Sequence, residues 1–185
     1  VQLNIPFTSH HLDSFSIKTL PLVRKITLMK LDSDENEWSY VANIIKNKKV
    51  LIVWGQSVPI SAELIDSVTM FCEKFDATVI TDMISGFDNQ YVIKNGIMTL
   101  RAAINFKKEI IAPDVVISVG GNYIFNGEMK GFLSTLNFVH IQLGEDGKVC
   151  DPFKKLNYIF EMQEKTFFKK MCNYSNESHV EYYRS

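Results

Sequence analysis

Cysteine is scarce in this chain. Cys72, Cys150 and Cys172 are the only three among 185 residues, odd in number, far apart and in no metal-ligand spacing. That excludes a disulfide framework and a cysteine metal site, and it is the usage of a reduced, cytoplasmic protein. Charge of one sign is also lacking. The formal net charge is -1, and the lysines and arginines are scattered, with no basic stripe interleaved with aromatics. Nothing therefore points to nucleic acid or to an anionic membrane as a partner. No apolar run approaches the roughly 20 residues that cross a bilayer. Internal repeats and low-complexity tracts are absent, as is the G-x-G-x-x-G dinucleotide fingerprint. The four histidines, His10, His11, His140 and His179, lie in no nucleophile-elbow context. His140 falls inside a strand, where a lone histidine is usually a packed side chain rather than a base.

What is present is an alternation of strand and helix patterns at a length that suits one domain. Size scaling buries roughly 70% of the unfolded surface in such a chain. Lys25–Lys30 is a short alternating run, an edge strand or linker. Ser33 or Asp34 caps a helix to Lys46, with Trp38, Val41, Ala42, Ile44 and Ile45 at helical spacing. Val50–Trp54 is continuously apolar, as strands buried on both faces are, and stops at Gly55. Pro59 and Ser61 open a second helix. Thr78–Thr81 is the next strand, ending at Asp82. A turn-rich loop covers Ser85–Gly96, and Met98–Glu109 reads as a helix. Val115–Val119 is a strand stopped by Gly120-Gly121. A helix near Glu128–Leu136 leads to the strand Phe138–Leu143, a turn at Gly144–Gly147, a short helix or turn from Pro152 and an amphipathic helix over Glu161–Met171.

This β-α-β-α-β-α-β order predicts an α/β fold: a Rossmann-like open parallel sheet with helices on both faces and right-handed crossovers. The predicted organisation is a linker and tail of a preceding domain over 1–24, a central domain over 25–172 and a further linker or tail over 173–185. Val1-Gln2-Leu3-Asn4-Ile5-Pro6-Phe7 is an apolar, strand-like opening with no partner strand close in sequence. It reads as the end of a preceding domain, and the chain accordingly as part of a longer protein.

Ligands of such sheets sit beyond the carboxyl ends of the strands. The candidate ligand- or interface-facing positions are therefore Gly55 and Gln56, Asp82 and Ser85, and Gly120, Gly121 and Asn122. A glycine pair before a helix either makes a tight turn or lets backbone approach a ligand closely. Asp82 can cap a helix, bind a hydroxyl or face a partner domain. No second carboxylate stands near it in sequence, so no catalytic residue and no metal ligand is assigned.

Several segments together resemble the central domain of thiamine-diphosphate-dependent enzymes. Val1–Phe7 looks like the V-x-L-N-x-P sequence that closes their first domain. Lys49–Gln56 is similar to the first central strand and its glycine turn, and Thr81–Gly86 to the second strand end. Ala112-Pro113-Asp114-Val115-Val116-Ile117-Ser118-Val119-Gly120-Gly121 resembles the menaquinone-pathway synthase branch most closely. Gly147–Phe153 and Ile159–Met162 extend that similarity, which covers about residues 1–172.

The resemblance implies a parent of three domains that uses thiamine diphosphate and magnesium, with both held by the flanking domains and none expected on this one. It implies decarboxylation of 2-oxoglutarate and addition of the succinyl unit to isochorismate, the flanking domains as partners in the same chain, and a homo-oligomeric parent. Glu145-Asp146-Gly147 with Asn173 downstream imitates the magnesium motif, but the segment feeding Asn173 reads as an amphipathic helix where the motif has a strand. One run departs from the branch. Where the synthases carry a Ser-Lys-Arg-like stretch, this chain has Tyr123-Ile124-Phe125-Asn126-Gly127-Glu128, with Lys130 the nearest cation. Another thiamine-diphosphate enzyme with a different 2-oxo acid therefore stays open. So does a non-catalytic module that binds a nucleotide or regulator, and so does a pure scaffold.

Overall fold

A computed structural model describes residues 23–56, 60–81, 85–94, 96, 99, 112–121 and 127–174. Among them run β1 (Thr27–Met29), α1 (Glu35–Ile45), β2 (Val50–Trp54), α2 (Ala62–Phe75), β3 (Ala77–Thr81), β4 (Val115–Val119), α3 (Gly127–Thr135), β5 (Val139–Leu143), β6 (Leu156–Phe160) and α4 (Glu164–Cys172). The six strands form one sheet in the order β1-β6-β5-β4-β2-β3, and every pairing is parallel. The Rossmann-like α/β architecture expected from the sequence is the one observed. No helix among the described residues is long and apolar enough to cross a membrane.

Local chemistry sets the boundaries. Asp34 caps α1 by accepting the N–H of Asn36 at 2.7 Å, and Ser61 caps α2 by accepting that of Leu64 at 3.2 Å. α2 ends at Asp76, whose backbone turns left-handed at φ 50°, a conformation aspartate tolerates better than most residues. Strand alternation then sorts the side chains into two layers. Val50, Ile52, Trp54, Val115, Ile117 and Val119 face α1, α2 and α4. Val53, Ile80 and Val116 face α3, where Met129, Phe132 and Leu133 cover them together with Phe153. Aromatic rings tie the first layer together. Phe71 of α2 meets Phe168 of α4 edge-on at 5.1 Å, and Phe160 of β6 meets Phe167 at 4.7 Å.

Two expectations need correction. The stretch after Pro152 is a turn that leads into a sixth strand, β6, which the sequence reading did not assign. The last helix begins at Glu164 rather than Glu161, because the N–H of Glu161 still belongs to the sheet and donates to the Met29 carbonyl at 2.9 Å. The turn-rich loop after β3 also returns to the sheet, with Val92 bridging to Val79. The expected helix over Met98–Glu109 falls largely outside the described residues. Tyr174, in the stretch expected to be a tail, stacks on Trp38 with ring centroids 6.5 Å apart.

Candidate functional site at the strand ends

The strand order reverses between β2 and β4. From β2 the chain goes outward through α2 to β3, and β4 lies on the other side of β2. This is the switch point at which open α/β sheets form a ligand crevice. The sequence candidates Gly55, Gln56, Gly120 and Gly121 meet there.

Here the two loops are fastened to each other by backbone. Gly55 N–H donates to the Val119 carbonyl at 2.9 Å, and Gly121 N–H donates to the Gln56 carbonyl at 2.9 Å. Gln56 and Gly121 thus form an isolated antiparallel bridge beyond a parallel ladder. Gly120 makes the approach feasible. Its φ is +78°, and a Cβ placed on it would lie 2.6 Å from the Gln56 carbonyl oxygen. The close approach that a glycine permits is occupied here by the neighbouring loop. At Gly121 an added Cβ meets nothing within 4 Å. Gly121 and the Gln56 side chain are exposed, so the free face of the bridge belongs to these two residues.

Ser85 lies apart from them. It is buried, and its hydroxyl accepts the N–H of Phe87 at 3.3 Å. That turn sends Phe87 back onto Trp54, where the rings stack at 4.1 Å. Ser85 therefore shapes the loop that covers the carboxyl end of β2. Asp82 and Asn122 lie outside the described residues.

One constellation escaped the sequence reading. Ser118 of β4 and His140 of β5 share a hydrogen bond of 2.9 Å between Oγ and Nε2, and His140 Nδ1 faces Asp151 Oδ1 at 3.5 Å. The order serine, histidine, aspartate is that of a hydrolytic triad. Its setting is different: Ser118 and His140 are both fully buried, and Phe138 and Phe153 pack edge-on against the imidazole at 6.3 and 5.0 Å. A nucleophile without access to substrate does no chemistry, so this is a core network. Burial holds His140 neutral, with its pKa lowered to about 4 despite the nearby Asp151 carboxylate. Burial acts to raise Asp151, but the N–H groups of Lys155 and Leu156 at 2.8 and 3.1 Å and the Arg24 guanidinium at 2.5 Å outweigh it and lower the pKa. The available signal was a serine in the otherwise apolar run Val115–Val119, and a histidine and a glutamine in Val139–Leu143. Gln142 beside them is also structural, since its amide donates to the Lys148 carbonyl at 2.8 Å and accepts the Cys150 N–H at 2.9 Å.

The Glu145-Asp146-Gly147 turn does not fit a magnesium–diphosphate group. Asp146 accepts the Lys148 N–H at 3.1 Å on one oxygen and pairs with the Lys148 ammonium at 2.8 Å on the other. A hard divalent cation would have to displace the Lys148 ammonium. Among the described residues no three His, Cys, Asp or Glu side chains converge as metal ligands.

These features define an all-parallel, Rossmann-like α/β domain whose switch-point loops are joined to each other by backbone hydrogen bonds. No protein-family model matches the chain. It is 25% identical over 183 aligned positions to the 2-succinyl-5-enolpyruvyl-6-hydroxy-3-cyclohexene-1-carboxylate synthase of Phocaeicola vulgatus. The match takes in 93% of this chain and 31% of that protein, so the chain spans less than a third of the curated relative's length.

Proposed function

We propose that this chain is the central domain of a thiamine-diphosphate-dependent carboligase. The parent enzyme would decarboxylate 2-oxoglutarate and add the succinyl unit to isochorismate in menaquinone biosynthesis. The observation that carries this reading is the alignment of nearly the whole chain with a domain-sized part of a synthase of that name. The motif order supports it. Lys49–Gln56 coincides with β2 and its turn, and Ala112–Gly121 with β4 and its turn. These are the two strands that meet at the switch point. In this reading the cofactor and magnesium belong to the flanking domains, and this chain spaces and buttresses them. Gln56 and Gly121, the exposed pair of the loop bridge, mark the face turned towards them.

The test uses the full-length parent loaded with thiamine diphosphate and Mg²⁺. Carbon dioxide release from 2-oxoglutarate is followed with and without isochorismate, and the product is identified by mass. A succinyl adduct of isochorismate is the expected product. Carbon dioxide release from a different 2-oxo acid, with no adduct from isochorismate, would replace the substrate and keep the class. That second reading is favoured by one feature, the Tyr123–Glu128 run that replaces a cationic stretch. A lysine–arginine pair matched to carboxylates is not replaced conservatively by a run that holds no cation. A folded parent that neither binds thiamine diphosphate nor releases carbon dioxide would refute both.

A further inference from the structure

Three side chains lead from the surface into the core. Arg24, in the segment that leads into β1, is exposed. Asp151, on the crossover between β5 and β6, is half-buried, and His140 of β5 is fully buried. Asp151 stands between the other two, and its carboxylate is crowded. Oδ1 accepts the N–H groups of Lys155 at 2.8 Å and Leu156 at 3.1 Å, and Oδ2 accepts the Arg24 guanidinium at 2.5 Å. A carboxylate oxygen offers two lone pairs. Those of Oδ1 are therefore taken where it faces His140 Nδ1, and the contact stays at 3.5 Å, longer than an ordinary hydrogen bond. Nδ1 is thus a buried nitrogen without a full hydrogen bond, which is uncommon inside a fold. Arg24 accounts for it. A second guanidinium N–H donates to the Lys154 carbonyl, so Arg24 grips both ends of the Asp151–Lys154 turn. Lys154 is left-handed at φ 59°, a conformation that a lysine keeps only where its surroundings impose it. The grip keeps Oδ2 on Arg24 and off the imidazole.

We propose that Arg24 and His140 compete for this one carboxylate, so that the hold of the segment leading into β1 sets the hydrogen bonding of the buried Ser118–His140 pair. The pair has two arrangements open to it. The Ser118 hydroxyl has one proton to give, and it lies 2.9 Å from His140 Nε2 and 3.5 Å from the Ile141 carbonyl. While Arg24 holds the carboxylate, Nδ1 is poorly paired and Nε2 is a modest acceptor. With Arg24 released, Oδ2 takes the Nδ1 proton, Nε2 becomes the stronger acceptor, and the bond from Ser118 tightens. A coupling between distant segments requires such an element with two discrete states that both ends can bias. One end here is Arg24, three residues before β1. The other is Ser118 in β4, two residues before Gly120 and the bridged strand-end loops. The charges that act on the imidazole are those of Asp151 and Arg24. Its other neighbours, Phe138, Phe153 and Ser118, carry none. This coupling belongs to the fold and does not depend on the reaction proposed above.

NMR of the histidine side chains in the isotope-labelled 185-residue chain tests it, with His140→Gln assigning the signal. Arg24→Gln is the main variant. Arg24 is exposed, so the substitution leaves the core untouched, and circular dichroism verifies the fold. The His140 Nδ1 proton should move downfield, the mark of a stronger hydrogen bond, and the Ser118 amide should move with it. The imidazole should also titrate above its starting value of about 4, because a cation that opposes its protonation is gone. Asp151→Asn should do the reverse. Its imidazole should titrate lower, with the neutral proton on Nε2, since the new amide can donate to Nδ1. An Nδ1 proton unmoved by Arg24→Gln would overturn the proposal. So would a raised titration midpoint with Nδ1 and Ser118 unchanged, since the field of a lost charge explains that without any competition.

Discussion

The closed switch point makes a contrast between adjacent glycines. At Gly120 an alanine meets two obstacles. Its φ of +78° is left-handed, which costs an L-residue about 1–2 kcal/mol. Its Cβ would also stand 2.6 Å from the Gln56 carbonyl oxygen and 3.1 Å from the Gln56 carbonyl carbon. Both are backbone atoms and cannot rotate aside. Relief requires the two loops to part, which lengthens the 2.9 Å bonds from Gly121 to Gln56 and from Gly55 to Val119. Each such bond is worth about 1 kcal/mol net. The sum predicts that Gly120→Ala destabilises by about 2–4 kcal/mol. At Gly121 the backbone is not left-handed and the space is open, so Gly121→Ala should stay within about 1 kcal/mol of the parent chain, on the stabilising side if anything. Urea denaturation of both variants, fitted with a common slope, measures the difference. Hydrogen exchange should add faster exchange at Gly55 and Gly121 in the Gly120 variant alone. Equal destabilisation at the two sites would refute the argument, because it would mean that closure of the loops does not depend on the missing side chain at Gly120.

Other outcomes follow from the same packing. His140 is neutral in the fold with a pKa of about 4 against 6.5 when free, so the unfolded chain binds the extra proton. Stability should be full above pH 6.5, fall by about 3 kcal/mol as pH drops towards 4, and level off below. His140→Gln should flatten that part of a urea-denaturation pH profile, and parallel profiles would contradict the assignment. Gln142→Met removes both bonds to the 148–150 segment and should cost about 1–2 kcal/mol. Hydrogen exchange should rise first at Cys150, and a rise spread evenly over the sheet would speak against a local clamp. Of the three cysteines only Cys150 is exposed, and burial pushes the Cys172 thiol up to about 11. A thiol reagent should therefore label one cysteine in the native chain and three after denaturation, and rapid labelling of Cys72 or Cys172 would contradict the packing of α2 on α4.

The elements that form by local rules were legible in the chain. Val50–Trp54 and Val115–Val119 are uninterrupted apolar runs, which only a strand buried on both faces requires, and both are strands with the expected bounds. Ser33 or Asp34, of which Asp34 is the cap, and Ser61 announced their helices by capping chemistry that acts over two or three residues. The strand-end positions Gly55, Gln56, Gly120 and Gly121 followed from the α/β alternation and the rule for such sheets. β6 was missed for a physical reason. Leu156-Asn157-Tyr158-Ile159-Phe160 breaks apolar continuity at Asn157, and that asparagine is tolerated because its side chain accepts the His140 N–H at 3.0 Å where the ladder shifts register.

What the chain determined by itself is the set of strands and helices whose periodicity is written within a few residues, and therefore the fold class. Tertiary structure alone decided the rest. It set β1 beside β6, although about 130 residues separate them. It brought the buried Ser118 and His140 and the half-buried Asp151 from two strands and a loop into one network. It turned a glycine pair that sequence left open between a tight turn and a ligand cradle into the seat of the Gln56 carbonyl. Contacts of this kind join residues far apart in the chain. Their energy depends on the strand order and register, which appear only when the whole sheet has assembled.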